Sequence, residues 1–261
     1  MIVAIDVNGS EALFEDHDDR DLVVRYMKPG FNNFEKPLPA LLHECMHRSP
    51  GLLLDVGASS GAYSIIACLA SPAVRVIAYE PHEQARAALE RNIALNRLGS
   101  RIAVRPQAVS DRSGTSRFYI PPDDHGQLES ESSLEATFNK EHGLVLEIEA
   151  VRLDDERFAG PVAMMKVDVE GHEAAVLAGG RRTIERDRPL LVVELLERAD
   201  LAFVESFRRA LGYTDVRLRR DHLVAGEDVA YDRMAWNHAL VPEERMSDFA
   251  AAARALQLIG V

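Results

Sequence analysis

The sequence predicts an α/β fold in which a mainly parallel sheet is covered by helices on both faces. Short apolar runs at 52–56 and 74–79 have the composition of buried parallel strands. Helical segments follow them at 62–70 and at about 81–98, where Pro81 fits the first helical turn. In a sheet of this kind ligands bind at the carboxyl ends of the strands, so functional residues are expected there.

The rest of the chain continues the alternation of strands and helices, which one long polar stretch interrupts. Residues 1–15 predict a hairpin or an edge strand, because two short apolar runs flank a turn signal. A polar stretch at 121–143 is longer than an ordinary connection and predicts a lid. We expect an N-terminal cap or hairpin segment over 1–50 and one domain over 51–261, with the lid inserted at about 121–143.

A third strand is predicted to begin at 102–104 and to end near 108–109. Further strands are predicted at 117–120, 144–150, 162–168, 190–194, 216–218 and 236–241. Further helices are predicted at 39–47, at 173–184 with a break at Gly179-Gly180, at 201–211 and at 247–258.

Composition and charge exclude several classes of protein. Of the 261 residues, 47% are hydrophobic and 28% are charged, as in soluble globular proteins. No run approaches about 18 apolar residues and no basic region opens the chain, so neither a membrane span nor a secretory signal is expected. Cys45 and Cys68 form no C-x-x-C pair, which argues against a cysteine zinc site and fits a reducing cytoplasm. The net charge of −12 makes nucleic acid a poor partner.

Acidic residues are concentrated in one part of the chain. Eleven of them lie between Pro121 and Glu156, against the basic residues Lys140 and Arg152. Such a segment is either a solvated surface excursion or an acidic lid that prefers a neutral or cationic substrate.

A glycine-rich turn follows the first buried strand. Asp55 begins a D-x-G-x-x-x-G pattern that includes Gly57 and Gly61, and glycines allow a backbone to approach a ligand closely. Ser59 stands where a dinucleotide-binding loop has its second glycine, so the spacing favours a nucleoside without a pyrophosphate. Glu80 ends the second strand and is placed to accept hydrogen bonds from both hydroxyls of a ribose. The alternatives are a tight strand-to-helix connection and an acid stabilised by a helix N-terminus.

Polar residues also follow the later strands. Gln107 to Asp111 could meet an adenine edge or form an ordinary turn. In the run Lys166 to Glu173, His172 stands beside carboxylates at a strand end, where it is a candidate proton acceptor. Asp168 and Glu170 are alternatively helix caps, and the histidine is alternatively structural.

Glu194 ends the neighbouring strand, so its carboxylate could face Asp168. These carboxylates and the imidazole of His172 could together hold a hard divalent cation. The sequence contains no tight metal motif such as H-E-x-x-H, and a metal requirement therefore stays open.

The stretch from Leu53 to Glu194 resembles the FkbM-type family of S-adenosylmethionine-dependent methyltransferases. The resemblance implies a Rossmann-like class I methyltransferase domain with a seven-stranded sheet. It also implies O-methylation of a small molecule of natural-product, sugar or glycolipid type in secondary metabolism. Ser59 departs from the asparagine that is common in the family. The residues that carry the resemblance are Asp55 to Ser64, Tyr79 to Pro81, Asn92, Asn96, Ala108 to Asp111, Gly114, Leu153 to Asp155, Lys166 to Glu173 and Glu194.

The resemblance also assigns the site. Asp55, Gly57 and Gly61 shape the S-adenosylmethionine pocket, and Glu80 holds the ribose. We predict the remaining cofactor contacts from Ala58, Ser59, Tyr63, Pro81, Ala108, Val109, Ser110 and Asp168.

His172 is the predicted base that removes a proton from the acceptor hydroxyl, with Asp168 or Glu170 orienting it. The expected partner is a small hydroxylated acceptor, and a homodimer is left open. Two other functions stay open: a non-catalytic nucleoside-binding scaffold and a nicotinamide-dependent oxidoreductase.

Overall fold

The computed structural model describes residues 1–16, 21–120, 132–135 and 143–258. In chain order the strands are β1 (Ile2–Val7), β2 (Ser10–Glu15), β3 (Leu52–Val56), β4 (Arg75–Tyr79), β5 (Ile102–Arg105), β6 (Ala108–Val109), β7 (Gly114–Ile120), β8 (Leu144–Val151), β9 (Val162–Val167), β10 (Leu190–Glu194), β11 (Tyr213–Arg219), β12 (His222–Gly226) and β13 (Asn237–Pro242). The helices are α1 (Leu22–Met27), α2 (Leu38–Arg48), α3 (Ala62–Ala70), α4 (Glu83–Leu95), α5 (Glu173–Gly179), α6 (Arg181–Asp187), α7 (Leu201–Leu211) and α8 (Met246–Ala255).

An eight-stranded sheet in the order β12-β11-β13-β10-β9-β3-β4-β5 forms the centre of the described chain. The five strands from β10 to β5 are parallel, and β11, β12 and β13 are antiparallel. The predicted α/β class is therefore confirmed, but the prediction of seven strands is wrong by one. β12 extends the edge as a hairpin with β11, and its polar start at His222 carries little of the apolar signal that marks a buried strand.

Two hydrophobic cores cover the two faces of this sheet. Successive side chains of β3 point to opposite faces, so Leu53 joins one core and Leu54 joins the other. The first core packs the sheet against α2, α3, α4 and α8. The second packs it against α5, α6 and α7. Both faces of the parallel strands are buried, which is why those strands are continuous apolar runs in the sequence.

Two elements differ from the sequence pattern, and one predicted break is confirmed. The helix predicted from Pro81 begins at Glu83, because His82 keeps an extended backbone and forms its N-cap. The strand predicted from 102 to about 109 is divided into β5 and β6, which belong to different sheets. The break predicted at Gly179-Gly180 is present, since α5 ends at Gly179 and α6 begins at Arg181. Gly179 lies so close to the backbone of Ser110 that an added Cβ atom would be 2.0 Å from its carbonyl oxygen.

A three-stranded sheet, β6-β8-β7, contains the strands that interrupt the regular alternation. Most of the predicted lid, residues 121–131 and 136–142, lies outside the described residues. Ser133 is described, and it forms an isolated bridge with Tyr119 of β7. Its hydroxyl donates a hydrogen bond to the carbonyl of Glu170, 2.7 Å away. Residues 132–135 are thereby attached to the loop that follows β9.

Two asparagines of α4 join the N-terminal hairpin β1-β2 to the sheet. Asn92 Oδ1 accepts a hydrogen bond from the N–H of Glu15 at 2.8 Å, and its Nδ2 donates to the carbonyl of Ser60 at 2.9 Å. Asn96 Oδ1 accepts from the N–H of Leu13 at 2.8 Å. Among the described residues, no helix has both the length and the apolar character that a membrane span requires.

We expect Asn92→Ala to lower the free energy of unfolding by about 2–3 kcal/mol, because it removes a buried amide and leaves the N–H of Glu15 and the carbonyl of Ser60 without this partner. Urea denaturation followed by circular dichroism measures this loss. Gln84→Ala, on the exposed face of the same helix, is the control and should change stability by less than about 0.5 kcal/mol. Equal effects of the two substitutions would contradict the role given to Asn92.

Candidate functional site

A cavity of about 290 Å³ opens at the carboxyl ends of β3, β4, β9 and β10. This is the position at which parallel α/β sheets bind ligands. The predicted residues that line it are Gly57, Ala58, Ser59, Tyr63, Glu80, Pro81, Ala108, Val109, Asp168, Glu170 and His172. Asp55, Gly61 and Ser110 are not part of the lining. Asp55 accepts a hydrogen bond from Ser64, Gly61 packs against Leu89, and Ser110 contacts His172 of the lining.

The glycine loop, residues 57–61, follows β3 and leaves no space for a side chain at its two glycines. Gly57 has φ +80°, and an added Cβ atom would lie 1.8 Å from the carbonyl oxygen of Asp168. Gly61 has φ +87° as the N-cap of α3, and an added Cβ would lie 2.3 Å from Leu89 Cδ1. Both positions therefore need glycine for conformation and for space. The loop follows β3 directly and is held against the end of β9.

Glu80 fixes the same loop from the neighbouring strand. Its Oε2 accepts a hydrogen bond from the N–H of Ser59, and its Oε1 accepts one from the N–H of His82, both at 2.8 Å. Burial raises the pKa of the Glu80 carboxyl to about 7, although these two backbone donors favour the charged form. Each oxygen keeps acceptor capacity, since a carboxylate offers about four lone-pair positions.

Several polar atoms around the glycine loop are buried without a partner among the described residues. They include Ser59 Oγ, Ser60 Oγ and His82 Nδ1. Buried polar groups are normally hydrogen-bonded, so unsatisfied ones at a cavity wall point to a polar ligand. Ala108 and Val109 supply an apolar wall nearby. A ligand with hydroxyl groups and a flat apolar ring, such as a nucleoside, fits this half of the cavity.

The other half of the cavity is acidic and contains a buried lysine. Lys166 is 2% exposed, and its Nζ donates a hydrogen bond to Asp168 Oδ2 at 2.7 Å and lies 4.7 Å from the centre of the Tyr63 ring. Burial disfavours its charge, but Asp168, Asp55 and Glu35 outweigh that effect and raise the pKa of Lys166. The lysine is therefore a permanent positive charge at the carboxyl end of β9.

Asp55 lies opposite Lys166 in the register of β3 and β9. The side chain of Asp55 is fully buried, and its Oδ2 accepts a hydrogen bond from Ser64 Oγ at 2.6 Å. Burial raises the pKa of Asp55, while Lys166 opposes that shift. Asp55 thus supports the start of α3 and the position of the lysine.

Glu35, Asp168 and Glu194 bring their carboxylates together in the acidic half. One oxygen from each lies within 4.8 Å of the others. Burial, followed by Asp168 and Glu170, raises the pKa of Glu194 to about 11, so this carboxyl is neutral at physiological pH. Burial and Asp168 also raise the pKa of Glu35, which accepts a hydrogen bond from the hydroxyl of Tyr63.

The imidazole of His172 has partners on both sides. Its Nε2 lies 2.9 Å from Ser110 Oγ, and its Nδ1 lies 2.7 Å from Glu135 Oε1. Asp168 or Glu170 is the carboxylate predicted from the sequence to orient this ring. In the described structure the carboxylate in contact with the ring is Glu135, whereas Asp168 is paired with Lys166.

Some residues of the site carry no clear signal in the sequence. Glu35 and Phe34 belong to an irregular segment before the first long helix, and Trp236 precedes a late strand. Glu135 lies inside a polar stretch without periodicity. Lys166 does carry a signal in the sequence, because a lysine inside an otherwise apolar strand must find a buried partner.

The sequence model of the methyltransferase FkbM domain matches residues 55–214. The chain belongs to the FkbM methyltransferase family. It is 30% identical over 219 residues to the 31-O-demethyl-FK506 methyltransferase FkbM of Streptomyces tacrolimicus, a match that covers 72% of this chain and 82% of that protein. A crystal structure of methyltransferase FkbM from Methylobacillus flagellatus KT has a TM-score of 0.50 and 18% identity. That match covers 72% of this chain and 42% of the other, so this chain spans less than half of its length.

These comparisons confirm the family predicted from the sequence, which is one of S-adenosylmethionine-dependent methyltransferases. The Methylobacillus FkbM structure supports the Rossmann-like fold alone, because its sequence identity is low. The half of the cavity that fits a nucleoside lies within the matched range, at the glycine loop and Glu80. Glu35 and Trp236 lie outside that range.

We expect the stability of the wild type to fall relative to that of Glu194→Gln as the pH rises from 5.5 to 8. The folded state retains a proton on Glu194, whose pKa is raised to about 11, while the unfolded state has released it above a pKa of about 4.3. Stability therefore decreases with rising pH, with a slope that approaches about 1.4 kcal/mol per pH unit.

Urea denaturation at several pH values, with EDTA present, measures this difference. Glu197→Gln is the matched control, because that carboxylate is exposed three residues further along the chain. Curves of wild type and Glu194→Gln that stay parallel across the pH range would show that Glu194 does not hold a proton in the folded state.

Proposed function

We propose that this chain transfers the methyl group of S-adenosylmethionine to a hydroxyl oxygen of a small molecule. The observation that carries the proposal is Glu80, a buried carboxylate that is fixed by the N–H groups of Ser59 and His82 and lines the cavity. A carboxylate held in this way is prepared to accept two hydrogen bonds from a ribose without reorganising. The S-adenosylmethionine-dependent family identifies the donor that such a nucleoside site would hold.

We infer that one half of the cavity binds the methyl donor. Glu80 would hold the ribose, Ala108 and Val109 would cover the adenine, and Gly57 would let the donor approach the backbone. We infer that residues 51–261 supply this core and that residues 1–50 cap it, with Glu35 contributed by the cap. The bound cofactor supplies an activated methyl group on a sulfonium.

Transfer to oxygen is supported by the acid–base groups at the far end of the cavity. An alcohol must lose its proton as the new carbon–oxygen bond forms, and the carbon–sulfur bond that breaks leaves a neutral thioether. His172 lines the cavity and is oriented by Glu135, so it is our candidate to take the proton at Nε2. For that role the acceptor must replace the hydroxyl of Ser110 at Nε2, or the hydroxyl must relay the proton.

The acceptor we infer is a small hydroxylated molecule. The relative from Streptomyces tacrolimicus is named for methylation at an oxygen of FK506. Phe34, Phe118 and Trp236 give the cavity apolar surface on the acceptor side, and Trp236 is 49% exposed. Apolar walls around a few fixed polar groups are typical of small-molecule sites.

We expect Glu80→Gln to weaken S-adenosylmethionine binding by about 10- to 100-fold, because it removes the charge from two hydrogen bonds to the ribose. Isothermal titration calorimetry with S-adenosylmethionine and with its demethylated product measures the change. Glu83→Gln, an exposed carboxylate in the first turn of α4, is the control and should bind like the wild type. Unchanged affinity in Glu80→Gln would refute the ribose contact.

We expect His172→Ala to lower turnover by about 10²-fold while S-adenosylmethionine affinity changes less than twofold. Transfer of labelled methyl to a panel of hydroxylated small molecules measures turnover, and calorimetry measures the affinity. The acidic limb of the pH–rate profile should disappear in the variant, which a purely structural role would not cause. His222→Ala, on the exposed start of β12, is the control. Full turnover in His172→Ala would remove this residue from the mechanism.

A further inference from the structure

We propose that Glu35, Asp168 and Glu194 bind one hard divalent cation at the acidic end of the cavity. The three residues come from separate parts of the fold: the segment before α2, the end of β9 and the end of β10. Their carboxylate oxygens converge within 4.8 Å of one another. Binding of the cation does not depend on the proposed function, but its role in catalysis does.

The spacing of these oxygens is close to the coordination distances of a hard cation. Ligand distances of about 2.4 Å for Ca²⁺ and 2.1 Å for Mg²⁺ place opposite oxygens about 4.8 Å and 4.2 Å apart, and neighbouring oxygens about 3.4 Å and 3.0 Å apart. Because only one pair of three ligands can be opposite, oxygens within 4.8 Å of one another would close by up to about 1–2 Å on binding, which side-chain rotation can supply. Carboxylate oxygens are also the ligands that such cations prefer.

Glu194 provides a second observation, separate from the clustering. It is 8% exposed, it lines the cavity, and within the described chain its carboxylate makes no hydrogen bond or ion pair. A buried acid without a partner is costly unless a ligand satisfies it. The charged groups that act on it include three carboxyl groups, those of Asp168, Glu170 and Glu35, and one ammonium, that of Lys166, which has the smallest effect of the four. A cation is the partner that would satisfy this group.

The other two carboxylates are already oriented and still have acceptor capacity. The Tyr63 hydroxyl donates to Glu35, and Lys166 Nζ donates to Asp168. Each contact uses one of about four lone-pair positions of a carboxylate. These contacts are the outer-shell hydrogen bonds that commonly fix metal ligands in place.

The groups at this end of the cavity are mostly acidic. One ammonium, that of Lys166, faces the carboxyl groups of Glu35, Asp55, Asp168 and Glu194. A divalent cation would take the place of the proton on Glu194 and would offset the negative charge that the loss of this proton creates. Bound at the acceptor end, it would lower the pKa of an acceptor hydroxyl that it contacts.

Titration of Mn²⁺ into protein freed of metal by EDTA and gel filtration tests the site, with the electron paramagnetic resonance signal of free Mn²⁺ as the readout. We expect saturable binding of one Mn²⁺ per chain and competition by Mg²⁺. Glu194→Gln and Glu35→Gln should each weaken it by at least about tenfold, since even outer-shell losses cost that much. Glu90→Gln, exposed on α4, carries the same change of charge and should bind like the wild type.

Two results would overturn the site. One is the absence of saturable Mn²⁺ binding by the wild type. In that case the carboxyl groups would be neutralised by Lys166, by bound protons or by an ammonium group of a ligand. The other is wild-type affinity in both folded variants, Glu194→Gln and Glu35→Gln. S-adenosylmethionine titrated into the same metal-free samples separates this proposal from the proposed function. Cofactor binding without Mn²⁺ binding refutes the cation site alone, and the reverse result refutes the methyltransferase function alone.

Discussion

Lys166 places a buried ammonium group at the carboxyl end of β9, and the surrounding architecture depends on its charge. Its Nζ is 2.7 Å from Asp168, and Asp55 lies opposite it in the sheet register. Removing the ammonium would leave several buried carboxyl groups to repel one another or to take up protons. Removing the carboxylates would leave a buried lysine that could not stay charged. The carboxyl groups therefore keep the lysine charged, and the ammonium opposes the upward pKa shift that burial gives Asp55, Glu35 and Glu194. This cluster lies where the ends of β3 and β9 meet.

The contact between Gly57 and the carbonyl oxygen of Asp168 joins the two halves of the cavity. The loop that surrounds the nucleoside end rests directly on the residue that begins the acidic end. A side chain at Gly57 would push the two apart. Methyl transfer needs the donor carbon and the acceptor oxygen in line at about 3 Å, so a rigid connection of this kind contributes to rate through alignment. Glu80 serves the same purpose, because its hydrogen bonds to Ser59 and His82 fix the loop from β4.

The sequence was sufficient for the parallel strands and for the site residues at their ends. β3 and β10 are buried on both faces and therefore read as apolar runs, and the topology of a parallel sheet brings Glu80, Asp168 and Glu194 to one edge. The edge strand β12 was not predicted, because one of its faces is exposed to solvent and its sequence is therefore not a continuous apolar run. Glu35 and Glu135 were not predicted as site residues, because they lie in irregular segments. In such segments neither periodicity nor a strand end indicates the direction of a side chain. Their positions follow from long-range packing, which a local pattern does not encode.

Residues that line the cavity come both from the part of the chain that matches the family and from parts outside it. The glycine loop, Glu80 and Asp168 lie within residues 55–214, the range that matches the family. Phe34, Glu35 and Trp236 lie outside that range and also line the cavity. The glycine loop and this aromatic surface are therefore supplied by different segments of the chain. In this chain the segment before α2 and the residue before β13 bring aromatic rings and one carboxyl group to the cavity from outside the part that defines the family, so they are the parts of the lining that family membership does not account for.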